Sequence, residues 1–198
     1  VSAGSGADSI VGGAGNDSIN AGSGANTITD SAGNNTVITG DAADSITTGS
    51  GNDSVNSGAG ADIIDVGDTT GGGVNNVNSG AGADFVTYLG RGGISTGDDN
   101  DTINGSGSTG DSILDSGAGA DSVVAGSGAD TINGGDGADS INAGAGHNSV
   151  SGGEGANLIT AGVGNDTITA GSGADTINAG DGLNTLDGGT GEIGRAHV

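Results

Sequence analysis

The chain has 198 residues, 48 of them Gly, and a formal net charge of −23. Gly is thus roughly a quarter of the chain, against about 7% in ordinary proteins. Cys, Pro, Met and Trp are absent, Phe85 and Tyr88 are the only large aromatics, and Arg91 and Arg195 are the only strong cations. This excludes an enzyme core filled by large side chains, a basic face for nucleic acid, an apolar membrane span, collagen, and any disulfide or thiolate site.

Low hydrophobicity with high charge ordinarily means disorder. Here a repeat replaces size in the core. From Ala3 to Asp65 the chain runs in unbroken steps of nine residues, on the template x-Gly-x-Gly-x-Asp/Asn-x-Ile/Val/Leu-x. Gly12–Asn20 is one copy, and Ala125–Asn133, Gly134–Asn142, Ala161–Thr169 and Ala170–Asn178 are others. From about Val66 to Asp115 the period slips. Val66–Asn78 carries extra residues around Gly71–Gly73, Tyr88–Ser95 is short, and Gly105–Asp115 is long. Phe85, Tyr88, Leu89 and Arg91 lie in this stretch and would suit a partner-contacting loop, but bulging of the array, which solenoids tolerate at turns, is the preferred reading. The steps of nine resume from Ser116 to Asp187.

Each copy reads as one turn and one short strand. Gly at positions two and four permits the tight turn, and Ser/Thr followed by Ile/Val suits a strand with its single aliphatic side chain inward. Two copies close a coil of 18 residues, and coils stack with their strands parallel. The fold class is therefore all-β, a parallel β-roll or β-solenoid of about ten coils. Ile10, Ile28, Ile46 and Ile64 should line one inner sheet face, and Ile19, Val37 and Val55 the other.

The motif resembles the Gly-Gly-x-Gly-x-Asp-x-aliphatic-x nonapeptide of the RTX (repeats-in-toxin, haemolysin-type) family, which folds as a calcium-binding parallel β-roll. The likeness covers residues 1–191. It departs at position one, often Ala, Ser or Thr, at position six, where Asn replaces several Asp, and over 66–115.

Position six carries the chemistry. Its candidate metal ligands are Asp8, Asp17, Asp44, Asp53, Asp62, Asp84, Asp101, Asp111, Asp121, Asp130, Asp139, Asp166 and Asp175. Asn stands there at Asn26, Asn35, Asn75, Asn148, Asn157 and Asn184. Successive copies fall on opposite edges of the roll. One edge should therefore run from Asp8 through Asp84 to Asp175, and the other from Asp17 through Asn75, Gly93 and Asp111 to Asn184. Stacked carboxylates about 4.8 Å apart repel by roughly 3 kcal/mol at an effective dielectric near 20. Ca2+, which takes six to eight oxygens from carboxylates and carbonyls, fits that gap better than Mg2+. Several ions are expected, and each, by resemblance, sits between turns 18 residues apart. Glu154, Asp41, Asp68, Asp98, Asp136 and Asp181 read as solvated turn charges, and His147 as an inert surface residue. One aliphatic side chain per nine residues makes a thin core, so bound ions should contribute to folding.

The resemblance implies a calcium-folded structural segment of a larger protein, secreted from Gram-negative bacteria by a type I system. The alternative is an extracellular module that binds polysaccharide or ice through rows such as Thr27, Thr36, Thr167, Thr176 and Thr185, although the scarcity of aromatics argues against a glycan face. The array is read as no enzyme, because it offers no nucleophile–His pair or His-rich metal set. The residues leave the parent open among toxin, hydrolase, adhesin and surface-layer protein.

The array is expected to be cut at both ends, since Val1 and Ser2 fit positions eight and nine of a preceding copy. Glu192–Val198 fits nothing before it. It back-translates onto the start of a common sequencing-library adapter. It is therefore expected to be foreign to the protein and to leave the ladder as a tail, with Arg195 and His197 outside any functional argument.

Overall fold

The computed structural model describes residues 1–67 and 73–197. Their strands alternate between two 11-stranded sheets, and every pairing is parallel. One sheet starts at Ser2–Ser5 and passes through Ser18–Ser23 and Thr36–Thr39 to Thr185–Asp187. The other starts at Ser9–Val11 and passes through Thr27–Thr29 and Ser45–Gly49 to Glu192–His197. This is the expected β-solenoid of about ten coils.

Register follows the aliphatic column. Ile10 pairs with Ile28, Ile28 with Ile46 and Ile46 with Ile64 in one sheet. Ile19 pairs with Val37 and Val37 with Val55 in the other. The two columns face each other and form one continuous core. Even the turns join the ladder, through single bridges at position three such as Asp41 to Ala59 and Ala118 to Asp136. Among the described residues no helix is long and apolar enough to cross a membrane.

The core is richer than one side chain per copy. Side chains alternate along extended backbone beyond the strand itself. Positions six, eight and one therefore all point inward, while seven and nine face out. The position-six side chains from Asn26 to Asp175 are buried, except for Gly92, and so are position-one residues such as Ala21, Thr48, Ser57 and Ala143. This explains the Ala, Ser and Thr at position one: they are small inward residues, two of them carrying a hydroxyl.

The ladder crosses the irregular stretch without breaking. Stacked partners there are 22, 17 and 20 residues apart, at Asp62–Asp84, Asp84–Asp101 and Asp101–Asp121, yet keep the same hydrogen bond. Residues 68–72, which include Asp68 and most of the surplus near Gly71–Gly73, lie outside the described part. Tyr88 does not face a partner. It is an inward position-one residue, 1% exposed, and its ring fills the space a Cβ on Gly105 would need. Burial raises its phenol to about 12.

The expectation that the terminal segment leaves the ladder is overturned for Glu192–His197, while Val198 lies outside the described residues. Glu192–His197 pairs in parallel with Ala174–Asn178, and a register shift between Asp175 and Thr176 takes up the mismatch. The reason is generic: the last full coil presents a row of unpaired N–H and C=O groups, which template a further strand whatever its side chains.

Candidate metal-binding edges

Each turn delivers its position-six side chain beneath the backbone and toward the neighbouring coil. The contact is the same at almost every step: one carboxylate or amide oxygen accepts the N–H of position six in the coil before it. On the first edge Asn26 N–H donates to Asp44 Oδ1 at 2.7 Å, and Asp44 N–H to Asp62 Oδ1 at 2.8 Å. The series continues through Asp84, Asp101, Asp121 and Asp139 to Asn157 and Asp175. Asp8 opens it, its N–H on Asn26 Oδ1. The first edge is therefore ordered as the repeat count predicts.

The second edge needs two corrections. Ser112, not Asp111, holds position six, because Ser112 N–H donates to Asp130 Oδ1 at 2.8 Å. Asp111 falls one place earlier, exposed, where its Oδ1 accepts Ala129 N–H. Likewise Gly92, not Gly93, stands opposite Asn75 and Ser112. A length count cannot say which residue of an insertion bulges; the inward demand of Ile94 and Leu114 decides it. The corrected edge reads Asp17, Asn35, Asp53, Asn75, Gly92, Ser112, Asp130, Asn148, Asp166, Asn184. Nowhere on it do two carboxylates stack in succession.

These carboxylates are only half satisfied. Oδ1 is engaged, but Oδ2 of Asp44, Asp53, Asp62, Asp84, Asp101, Asp121, Asp130, Asp139, Asp166 and Asp175 is buried without a donor, as is Oδ2 of Asp8. Burial pushes the carboxyls of Asp53, Asp62, Asp84, Asp121, Asp130 and Asp139 above their ordinary range, and that of Asp101 to about 6. Backbone N–H donors, and a neighbouring carboxylate in most of them, act as smaller opposing and reinforcing influences. A buried acceptor without a partner is costly, and a cation between coils would relieve it. Among the described residues no three acidic or His side chains converge closely enough to hold an ion alone. A cation held there would draw its remaining oxygens from backbone carbonyls or water, a mixture that suits calcium.

Two features escaped the reading of the repeats. The first is a hydroxyl ladder at position one beside the Asp run of the first edge. Thr39, Ser57, Ser79, Thr96 and Ser116 each donate to the carbonyl of the next coil, at 2.8–3.3 Å. Ser57, Ser79, Thr96 and Ser116 sit close enough to ease the charge of Asp62, Asp84, Asp101 and Asp121. Their protons go to the carbonyls, so each Oδ2 remains without a donor. The Ser/Thr at position one in these copies was the available signal.

The second is Asp30, an inward position-one carboxylate 2% exposed. Its Oδ1 accepts Ala32 N–H at 3.3 Å, and its Oδ2 occupies the place of a Cβ on Gly12, without a donor. Its counterpart in the next coil is Thr48, whose hydroxyl also lacks a partner, whereas Ala fills position one at Ala21 and Ala143. Asp30→Ala should therefore stabilise the folded chain by about 1–3 kcal/mol, the cost of an unsatisfied buried group. The calcium midpoint of folding, followed by circular dichroism, should fall; an unchanged or higher midpoint would show that Asp30 is already compensated.

Asp41, Asp98, Asp136, Asp181 and Glu154 are exposed in turns, as expected. His147 is exposed but not idle: its Nδ1 accepts Asn165 N–H at 3.0 Å, the task Asn16 and Asn34 perform at the same position in other coils. Thr27 and Thr176 lie on the outer face of one sheet, and Thr36, Thr167 and Thr185 on the other.

The family model for the RTX calcium-binding nonapeptide repeat, which spans four copies, matches residues 1–28, 29–64, 95–132, 124–159, 133–168 and 160–192. The matched segments leave out 65–94, where the period slips. No curated protein matches the chain.

Proposed function

The chain belongs to the RTX calcium-binding nonapeptide repeat family, and on that premise we propose that it is a calcium-folded structural segment of a larger secreted protein. The observation that carries this is the file of buried Oδ2 atoms with no donor. Position-six Asp residues of neighbouring coils would hold the ions, with turn carbonyls completing each shell. The bound ion would supply the positive charge that lets stacked carboxylates remain ionised when buried.

Such a segment is a switch. Without calcium, repulsion along the columns and the entropy of a Gly-rich chain oppose the fold. Extracellular calcium-binding modules respond at roughly 0.1–1 mM, a level met outside the cell. The reading is therefore of a chain kept unfolded inside a Gram-negative bacterium, exported by a type I system, and folded outside. The array itself acts as scaffold and has no catalytic task.

Far-ultraviolet circular dichroism of the full chain across a calcium titration tests this. The expected result is little β-structure in chelator and a cooperative gain as calcium rises through the millimolar range. Full β-structure in chelator at neutral pH would defeat it.

A further inference from the structure

Asp and Asn copies of position six differ in the polarity of one atom. In the Asn copies Nδ2 donates to backbone carbonyls at the edge of the roll. Asn26 reaches Gly24 O at 2.6 Å, Asn35 reaches Thr48 O at 3.3 Å, and Asn184 reaches Ala179 O at 3.1 Å. Asn75 and Asn148 do the same toward Leu89 O and Ala161 O. In the Asp copies the corresponding atom is Oδ2, an acceptor, and it has no donor. The carbonyl wall that a cation would bind is therefore already capped by an N–H wherever Asn stands.

The two edges distribute these residues differently. From Asp44 to Asp139 the first edge stacks carboxylate on carboxylate, linked by five successive N–H to Oδ1 bonds. On the second edge Asn separates Asp17 from Asp53, Asp53 from the Gly92–Ser112 step, and Asp130 from Asp166. Each first-edge gap in that run is flanked by two carboxylates, and neither bounding residue brings an N–H donor to the side-chain atom that faces the gap. A second-edge gap between Asp and Asn has one carboxylate and an amide N–H, so an ion there would find half the carboxylate ligands and displace a hydrogen bond, while the gaps around Gly92 and Ser112 have at most one carboxylate.

We propose that the position-six Asn amide takes the place of the cation in its own gap, so that calcium enters only the five gaps of the first edge between Asp44 and Asp139. The second edge closes without ions. The roll is then half switch and half standing scaffold, with the calcium requirement confined to one strip along the solenoid. This rests on the calcium reading above and adds where the ions go.

The test is calcium stoichiometry on the full chain by native mass spectrometry and equilibrium dialysis, with circular dichroism to confirm folding. The unmodified chain should saturate with five tightly held ions. Asp101→Asn should remove two of them, from the gaps on either side, and should raise the β-content found in chelator. Asn148→Asp should add two, by joining Asp130 to Asp166. Asn157→Asp, which extends the first-edge run toward Asp175, serves as a second gain variant should Asn148→Asp fail to fold. Saturation near twice five, or folded Asn→Asp variants whose count does not rise, would overturn the assignment while leaving calcium-dependent folding intact. Absence of any calcium binding would overturn both.

Discussion

In chelator, lowering the pH from 7 to about 5 should make the chain fold. Burial raises the carboxyls of Asp53, Asp62, Asp84, Asp121, Asp130 and Asp139 in the folded state, and that of Asp101 to about 6. In the unfolded chain an Asp titrates near 3.9. A carboxyl that holds its proton more tightly when folded favours the folded state most below the unfolded value. That stability drains away as pH rises through the folded value. For Asp101 the window is therefore from about 4 to about 6, and for the other carboxyls it opens upward from the unfolded value; in each case it runs opposite to ordinary acid denaturation. Protonation also gives each Oδ2 a hydrogen to donate, so it relieves both the charge and the missing partner. Calcium should invert the trend, because an ion needs the ionised carboxylate. Circular dichroism at pH 7, 6 and 5, with chelator and with calcium, measures both arms. A calcium-free chain equally unfolded at pH 5 and pH 7 would show that the carboxylates are not what keeps it open.

Gly137→Ala should be among the most damaging single substitutions of a small residue. Gly137 has φ of 137°, and a Cβ there would overlap the carbonyl oxygen of Gly119 in the coil before it. The obstacle is backbone held by the ladder, so it has no rotamer into which to retreat. Such a backbone conformation costs a non-Gly residue about 1–3 kcal/mol. Overpacking adds a further cost of about 1–3 kcal/mol. Against a total stability of about 5–15 kcal/mol, this should shift the calcium midpoint of folding strongly upward or abolish folding. Asp136→Ala, in the same turn but exposed, should change stability by no more than about 0.5 kcal/mol. Paired calcium titrations followed by circular dichroism give the comparison. A Gly137→Ala midpoint as low as that of Asp136→Ala would mean that the coils stack less closely than described.

The repeat by itself determined the architecture. An aliphatic residue every nine positions, between two turn glycines, leaves no other regular way to bury it, and local side-chain alternation sends it inward. The pairing of Ile10 with Ile28 and of Asp44 with Asp62 follows from two copies per coil. Contacts beyond that periodicity had to wait for the folded chain. Whether Asp111 or Ser112 enters the second column depends on which N–H meets Asp130 Oδ1, and an insertion of unknown bulge point leaves that undecided. The inward turn of positions six and one depends on extended backbone continuing past the three-residue strand into the turn. That continuation places the hydroxyls of Ser57 and Ser79 beside carboxylates and buries Asp30. The capture of Glu192–His197 depends on the open edge of the last full coil and not on the segment's own pattern. Periodicity is a property of the chain, whereas the choice of partner for each polar atom is made only when neighbouring coils come within hydrogen-bonding distance.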